Sequence, residues 1–241
     1  MRKHRIFILA ALLIAGFHHG RLQGQEKPQI TVDWIYSDAS AELTALPRFF
    51  WLRDNTAILF DLRKPKAERT FELFAPESGK RRSLVDRDLA VQSLKTALGK
   101  EDTTVYLSWP RSFDRDGKRA VYLFNGDIYL LDLAASRFQR ITKTDEKEKS
   151  VNFSPDGQKL AFVRANDLYV YDIAHHAEKR LTRDGSETLL NGTLSWVYWE
   201  EIFGRRDIGY WWSEDSRSIA YLQTDESMVS VMHFVDYKPQ V

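Results

Sequence analysis

Phe153-Ser-Pro-Asp-Gly157, Leu160-Ala-Phe-Val163, Asp167-Leu-Tyr-Val-Tyr-Asp172 and Arg180-Leu-Thr182 follow one another in a single stretch that decides the fold. Asp156-Gly157 is a hairpin turn signal, because glycine tolerates the positive φ of tight turns. The two apolar runs that follow have the length and composition of short strands. Forty residues earlier the same order stands as Phe113-Asp-Arg-Asp-Gly117, Ala120-Val-Tyr-Leu123, Asp127-Ile-Tyr-Leu-Leu-Asp132 and Arg140-Ile-Thr142. Gly126-Asp127 answers Asn166-Asp167, and Asp132-Leu-Ala134 answers Asp172-Ile-Ala174. All the anchors share one offset without a gap. About forty residues holding three or four short strands is the size of one propeller blade.

Working outward, a third copy of the turn begins at Trp212-Ser-Glu-Asp-Ser216 and leads into Ser218-Ile-Ala-Tyr-Leu222. Its offset from Phe153 is 59, so about 19 residues are inserted before it. A weaker, earlier unit runs from Phe49-Phe-Trp-Leu52 through Ala57-Ile-Leu-Phe60 to Thr70-Phe-Glu-Leu-Phe74. Lys143 to Lys149 reads as a charged, solvated connection between blades. The expectation is an all-β chain, a partial β-propeller of about three to four blades of ~40 residues, with a short helical insertion near 191–206. So few blades leave the ring incomplete, since propellers typically have four to eight. Either another chain completes it, or this is the front part of a longer protein.

The 241 residues are 43% hydrophobic and 29% charged, which excludes wholesale disorder. There is no cysteine, so disulfide scaffolds, thiolate metal sites and a cysteine nucleophile are excluded. The first 24 residues hold four basic residues (Arg2, Lys3, Arg5, Arg21) and no acid, leaving 31 Lys+Arg against 34 Asp+Glu in the remainder. That balance offers no electrostatic case for nucleic acid. Arg2-Lys-His-Arg5 followed by the apolar run Ile6–Phe17 has the form of a secretory signal. The run is short for a membrane span, which needs about 20 apolar residues. The organisation expected is a signal peptide at 1–24, a lead-in at 25–44 and the propeller at 45–241, exported to a periplasm or secreted, with no stable membrane span.

The insertion centres on Asn191-Gly-Thr-Leu-Ser-Trp-Val-Tyr-Trp-Glu-Glu-Ile-Phe203, and four of the seven tryptophans lie between Trp196 and Trp212. Repeat proteins carry function in insertions on one face. Glu200 and Glu201 are adjacent carboxylates among Trp196, Tyr198, Trp199 and Phe203. Shielded by aromatics, such a pair attracts an ammonium strongly, because a lower local dielectric amplifies the charge attraction. The residues equally allow a short exposed helix whose acids pair with Arg205 and Arg206.

Trp196-Val-Tyr-Trp-Glu-Glu-Ile-Phe203, Tyr210-Trp-Trp-Ser213, Ile219-Ala-Tyr-Leu222 and Asp225-Glu-Ser-Met-Val229 resemble the dipeptidyl peptidase IV family, of the prolyl oligopeptidase clan of serine peptidases. The resemblance covers roughly residues 45–241 and is most specific in 191–229. It implies an N-terminal propeller followed by a C-terminal α/β-hydrolase domain. It further implies that two glutamates, here Glu200 and Glu201, bind the free α-ammonium of a peptide. That contact measures off a dipeptide for release, usually with Pro or Ala second. The family motif has a third acid where this chain has Trp199. By the same resemblance Arg119 stands in the place of a propeller arginine on the substrate's carbonyl side, although Gly-Lys-Arg after a blade turn is also a common solvated pattern. Family members often dimerise, so a homodimer is a further expectation.

No Gly-x-Ser-x-Gly nucleophile elbow occurs in the chain. His175, His176 and His233 read as surface or packing residues. No metal-ligand spacing and no phosphate-binding glycine loop is present, so no metal, cofactor or catalytic residue is expected. The reading is therefore a peptide-gating propeller that does not hydrolyse peptides without its hydrolase domain, its substrate a peptide with a free N-terminus. The alternative is an exported propeller acting as a binding or scaffold module.

Overall fold

The forty-residue period resolves into alternating strands and tight turns in a computed structural model that describes residues 30–40 and 46–233. The chain divides into two units, residues 1–44 and 45–241. The expected signal segment, 1–24, lies outside the described residues. In the first unit a short helix α1, Val32–Ile35, is opened by the Thr31 hydroxyl, which accepts the Trp34 N–H at 3.1 Å.

The second unit is a run of antiparallel sheets. Strands β1 (Arg48–Trp51), β2 (Ala57–Phe60), β3 (Phe71–Ala75) and β4 (Lys80–Ser83) form the first, in sequence order. Helix α2 (Arg87–Leu98) intervenes. The second sheet is β5 (Ser112–Phe113), β6 (Arg119–Phe124), β7 (Asp127–Asp132) and β8 (Arg137–Arg140). The third is β9 (Glu148–Phe153), β10 (Lys159–Arg164), β11 (Asp167–Asp172) and β12 (Ala177–Arg180). Two-stranded pairs then join β13 (Leu189–Asn191) to β16 (Gln223–Asp225), and β14 (Tyr210–Trp212) to β15 (Ile219–Tyr221). These are three complete blades and part of a fourth, as the period requires.

The turn signals do the same work in each copy. Ser154 Oγ donates to Asp156 Oδ1 at 2.6 Å and accepts the Lys159 N–H at 3.0 Å. Ser213 Oγ donates to Asp215 Oδ1 at 2.6 Å and accepts the Ser218 N–H at 2.9 Å. In the second blade Asp114 takes the serine's place and accepts the Lys118 N–H at 2.7 Å. Gly117 and Gly157 sit at φ 66° and 71°, where glycine is unstrained; Ser216 holds the same place at 60°.

The middle strands read as unbroken apolar runs because both of their faces are covered. On β6, Ala120 and Tyr122 pack toward the first blade and α2, while Val121 packs toward the third blade. On β10, Leu160 and Phe162 join the cluster shared with the second blade, and Ala161 and Val163 join the one around Tyr210 of the fourth. Alternate residues of one strand thus serve two cores.

A buried carboxylate closes the second and third blades. The Asp167 side chain is 1% exposed and takes the Arg180 guanidinium, the Thr182 hydroxyl at 2.6 Å and the Gly185 N–H at 3.0 Å. Thr182 Oγ1 in turn accepts the Leu168 N–H at 3.0 Å, and Arg180 Nε donates to the Thr182 carbonyl at 2.9 Å. Forty residues earlier Asp127, Arg140, Thr142 and Ile128 repeat these roles, with Thr144 N–H in place of Gly185, except that the Thr142 hydroxyl lies 3.5 Å from Asp127 and donates instead to Glu148 at 3.0 Å. The paired repeats Asp-aliphatic-Tyr and Arg-aliphatic-Thr are therefore two halves of one latch. It ties the third strand of a blade to the connection that leaves the fourth.

Two expectations are corrected. Residues 143–149 are not wholly a solvated loop. Glu148 and Lys149 open β9, and Glu148 is 3% exposed, held by Arg164 Nε (2.8 Å), Thr142 (3.0 Å) and Thr144 (2.8 Å). Its charge is buried because three donors meet it. Helix α2 was not expected at all. Asp86 caps it by accepting the Leu89 N–H at 3.0 Å, Gly99 ends it at φ 64°, and it buries Ala90 and Leu94.

The latch has a measurable weight. Burial pushes the Asp167 carboxyl up, but the Thr182, Arg180 and Gly185 donors outweigh it and leave it below the ordinary 3.8. Asp167→Ala removes charge-assisted bonds and leaves Arg180 unpaired, so urea unfolding at pH 7 should show a loss of about 3 kcal/mol. A lowered native value gives stability that is present above the unfolded carboxyl's pKa and lost as pH falls through the native one. The deficit of the variant should accordingly shrink below pH 4; a deficit independent of pH would refute the ionic part. Asp114 has the opposite sign, since burial raises its pKa. Asp114→Asn keeps the acceptor for Lys118 and should raise the urea midpoint at pH 7.

Candidate functional site

β13 and β14 pair with successive parts of one antiparallel run. Leu189–Asn191 faces Gln223–Asp225, and Tyr210–Trp212 faces Ile219–Tyr221. Residues 192–209 therefore leave the first strand of the fourth blade midway and return to it. The neck is closed by backbone bonds: Gly192 N–H to the Leu222 carbonyl (2.9 Å), Gly209 N–H to the Gly192 carbonyl (3.0 Å), and a bridge between Thr193 and Ile208.

Asp207 anchors the returning arm. Its carboxylate takes Arg111 Nη2 at 2.6 and 2.7 Å and the Ser150 N–H at 3.1 Å, while its carbonyl accepts the Ser150 hydroxyl at 2.8 Å. The insertion is thus bolted to the first strand of the third blade and to the segment entering the second. Burial lowers the pKa of Lys149 nearby, against the opposing attraction of Asp207 and Glu226. Tyr210, wholly buried, sets its hydroxyl 2.6 Å from the Ser150 and Ala161 carbonyls, and burial drives its pKa well above 10.

The excursion itself is one turn of helix that widens. Trp199 N–H bonds the Ser195 carbonyl (2.9 Å), after which Tyr198–Ile202 is π-helical, closed by Phe203 N–H to the Tyr198 carbonyl (2.9 Å). Such π-bulges recur at functional sites. Phe203 lies 6.5 Å from the Tyr198 ring and 6.3 Å from Trp211 on β14, so an aromatic relay joins the turn to the sheet. Trp211 also lines a cleft of about 370 Å³ to which Phe50 of β1, Phe113 of β5 and Asn152 of β9 contribute. First strands of all four blades meet there. Ser112 Oγ and Asn152 Oδ1, 3.1 Å apart, link two of them directly.

Both expected acids lie on the turn. Glu200 is 28% exposed at its side chain and pairs with Arg205 Nη2 at 3.3 Å. The Arg205 guanidinium also lies 6.0 Å over the Trp199 ring. Glu201 is exposed and makes no hydrogen bond or ion pair among the described residues. Arg206 turns instead to the Phe203 carbonyl (3.3 Å). The expected pairing of the acids with Arg205 and Arg206 holds for Glu200 and Arg205.

Arg119 begins β6, and its Nη1 donates to the Gly157 carbonyl at 3.0 Å, between the turns of the second and third blades. Its contacts tie blades together and none reaches the insertion. The arginine that does reach it is Arg111, which no local motif marks, because its partner Asp207 is 96 residues away. His175 Nδ1 rests on Asp172 (2.9 Å) and His176 on the Tyr171 hydroxyl (3.0 Å), both at the turn after β11. Among the described residues no group of His, Asp or Glu is set to hold a metal, and no helix is long and apolar enough to cross a membrane.

Comparison with known proteins places this geometry. A "Probable dipeptidyl-aminopeptidase B" of Talaromyces marneffei is 50% identical over 48 residues, 20% of this chain and 5% of that protein. Its counterpart in Pyrenophora tritici-repentis is 49% identical over 57 residues, 22% of this chain and 6% of that one. The crystal structure of Porphyromonas gingivalis dipeptidyl peptidase 4 superposes with a TM-score of 0.61 at 20% identity, over 85% of this chain and 29% of that one. At that identity the likeness shows the fold. The chain thus matches only a small part of these longer proteins. The family model described as the dipeptidyl peptidase IV (DPP IV) N-terminal region matches residues 114–241. With more than half of its residues inside that model, the chain belongs to the dipeptidyl peptidase IV N-terminal region family.

Proposed function

We propose that this chain is the substrate-gating propeller portion of an exported serine exopeptidase that releases dipeptides, with Pro or Ala second, from free N-termini. Glu200 and Glu201 receive the peptide's α-ammonium. The observation that carries the reading is the mounting of the pair. The two acids stand on a helical turn that leaves a first strand midway, is bonded shut at its neck, and is fixed to two other blades through Asp207. A binding group held this rigidly can act as a ruler, because affinity spent on position is not spent on ordering a loop. An ammonium offers three N–H donors and a full charge, which suits two carboxylates beside aromatic walls. Anchoring the first residue there sets which peptide bond reaches the nucleophile.

That nucleophile and its base are proposed to come from an α/β-hydrolase domain of the full-length protein, whose triad acts as a unit. In this reading the chain supplies orientation and charge, not bond cleavage. Arg119 enters the same proposal as the cation facing the peptide carbonyl; with Nη1 on Gly157, its remaining N–H groups make that contact. A second reading has one observation in its favour. Trp196 is 70% exposed and Ile202 60%, a surface that a protein partner of a binding module could cover.

Titration of the chain with Ala-Pro-amide and with its N-acetylated form separates the readings. The clamp predicts binding of the free amine only. Loss of one charge-assisted bond is worth about 1.5–3 kcal/mol, so Glu201→Gln and Glu200→Gln should each weaken it roughly 10- to 100-fold. Equal binding of both peptides, or binding indifferent to both substitutions, would sink the clamp. Arg119→Ala should weaken binding of the same peptide while Arg119→Lys partly restores it; a fall in the urea midpoint with unchanged affinity would leave Arg119 as a tie between blades.

A further inference from the structure

Arg205 carries two contacts and an unusual backbone. It sits at φ 64° directly after Gly204 at 58°, so two successive residues are left-handed and only the first is glycine. A non-glycine residue there is disfavoured unless its surroundings hold it. Here the Arg205 N–H bonds the Trp199 carbonyl at 2.7 Å, and this returns the chain across the end of the helical turn. The side chain then passes over the Trp199 ring and places Nη2 on Glu200 Oε1. The contact is single and 3.3 Å long, whereas Arg115 grips Glu214 with both nitrogens at 2.8 and 3.1 Å. It is a pairing made to be broken: one long bond to a 28% exposed carboxylate by a 71% exposed guanidinium.

We propose that Arg205 is the resident counter-ion of the clamp, occupying Glu200 until a peptide ammonium displaces it. The inference rests on the amine-clamp reading and adds an internal competitor to it. Two carboxylates and one guanidinium leave a net single negative charge, matched to one α-ammonium. Glu201, exposed and unpaired among the described residues, meets the incoming cation first; Glu200 follows as Arg205 Nη2 leaves its Oε1. Trp199, standing where the family's motif carries an acid, then has a physical use. Its ring already lies 6.0 Å from the Arg205 guanidinium, a contact that does not depend on the bond to Glu200 and is worth less than an ion pair. Affinity for the amine is thereby set lower than two free carboxylates would give. The selectivity against uncharged N-termini remains, because an acetylated terminus brings no positive charge to either carboxylate.

The test uses the whole chain with Ala-Pro-amide and N-acetyl-Ala-Pro-amide as probes. Asparagine tolerates the left-handed backbone, so Arg205→Asn removes the guanidinium with little strain. An exposed ion pair of this kind is worth up to about a five-fold change in an equilibrium. Arg205→Asn should bind the free amine about three- to five-fold more tightly and still ignore the acetylated peptide. Arg205→Lys should stay near the parent. A merely structural role for Arg205 would move affinity the other way. Unchanged or weaker binding by Arg205→Asn, with the parent's binding still dependent on Glu201, overturns the counter-ion and leaves the clamp standing. No amine binding by either protein overturns the clamp itself, and the counter-ion with it. Binding that emerges only in Arg205→Asn supports the counter-ion in its strongest form.

Discussion

The buried carboxylate that ends the second blade, and again the third, is the constraint on which the rest of this structure depends. Asp127 and Asp167 lie inside the protein, where an unpaired charge is costly. Each is tolerated because an arginine and a backbone N–H from one short connection converge on it, joined at Asp167 by the Thr182 hydroxyl. The same bonds fix where that connection goes next. Satisfying the aspartate therefore sets the step from blade to blade. The apolar faces of β6 and β10 then fall into two separate cores. Hydrophobic burial supplies most of the stabilisation in such sheets, but it is not directional. The latch makes the stacking regular.

Regular stacking has a consequence for the inserted segment. The first strands of successive blades meet, as the Ser112–Asn152 contact and the shared cleft show. Anything growing from a first strand is therefore presented where several blades converge. The chain uses this once, at residues 192–209. Asp207 then couples that excursion to Ser150 and Arg111, so the turn with Glu200 and Glu201 inherits the rigidity of two other blades. Its aromatic residues divide their duties. Phe203 packs back toward Trp211, Trp199 lies under Arg205, and Trp196 faces outward.

Legibility followed the range of the interactions. The turns could be read because Ser154, Asp156 and Gly157 bond within five residues of one another. Both halves of the latch were visible as repeats, although their meeting was not. Helix α2 carries its own caps in Asp86 and Gly99, yet the blade period offers no place for it. Glu148 looked solvated within a run of charges, since the arginine that pairs with it, Arg164, arrives from the neighbouring strand. Arg119 and Arg111 are the sharpest contrast. Arg119, which the family resemblance singled out, donates to the Gly157 carbonyl, while Arg111, which no local pattern marks, comes to the foot of the insertion.

By itself the sequence determined the blade period, the turn chemistry, the place of the insertion and the acids on it. Each of these is written in residues close enough to act on one another along the chain. Only the tertiary structure decided which carboxylate is paired and which is open, what anchors the insertion, and which face of each strand meets which blade. Those outcomes rest on partners tens of residues apart, as with Arg111 and Asp207, or on a backbone turn as tight as that at Gly204 and Arg205. Charge and hydrogen bonding act over a few ångströms of space, and distance along the chain does not encode that separation.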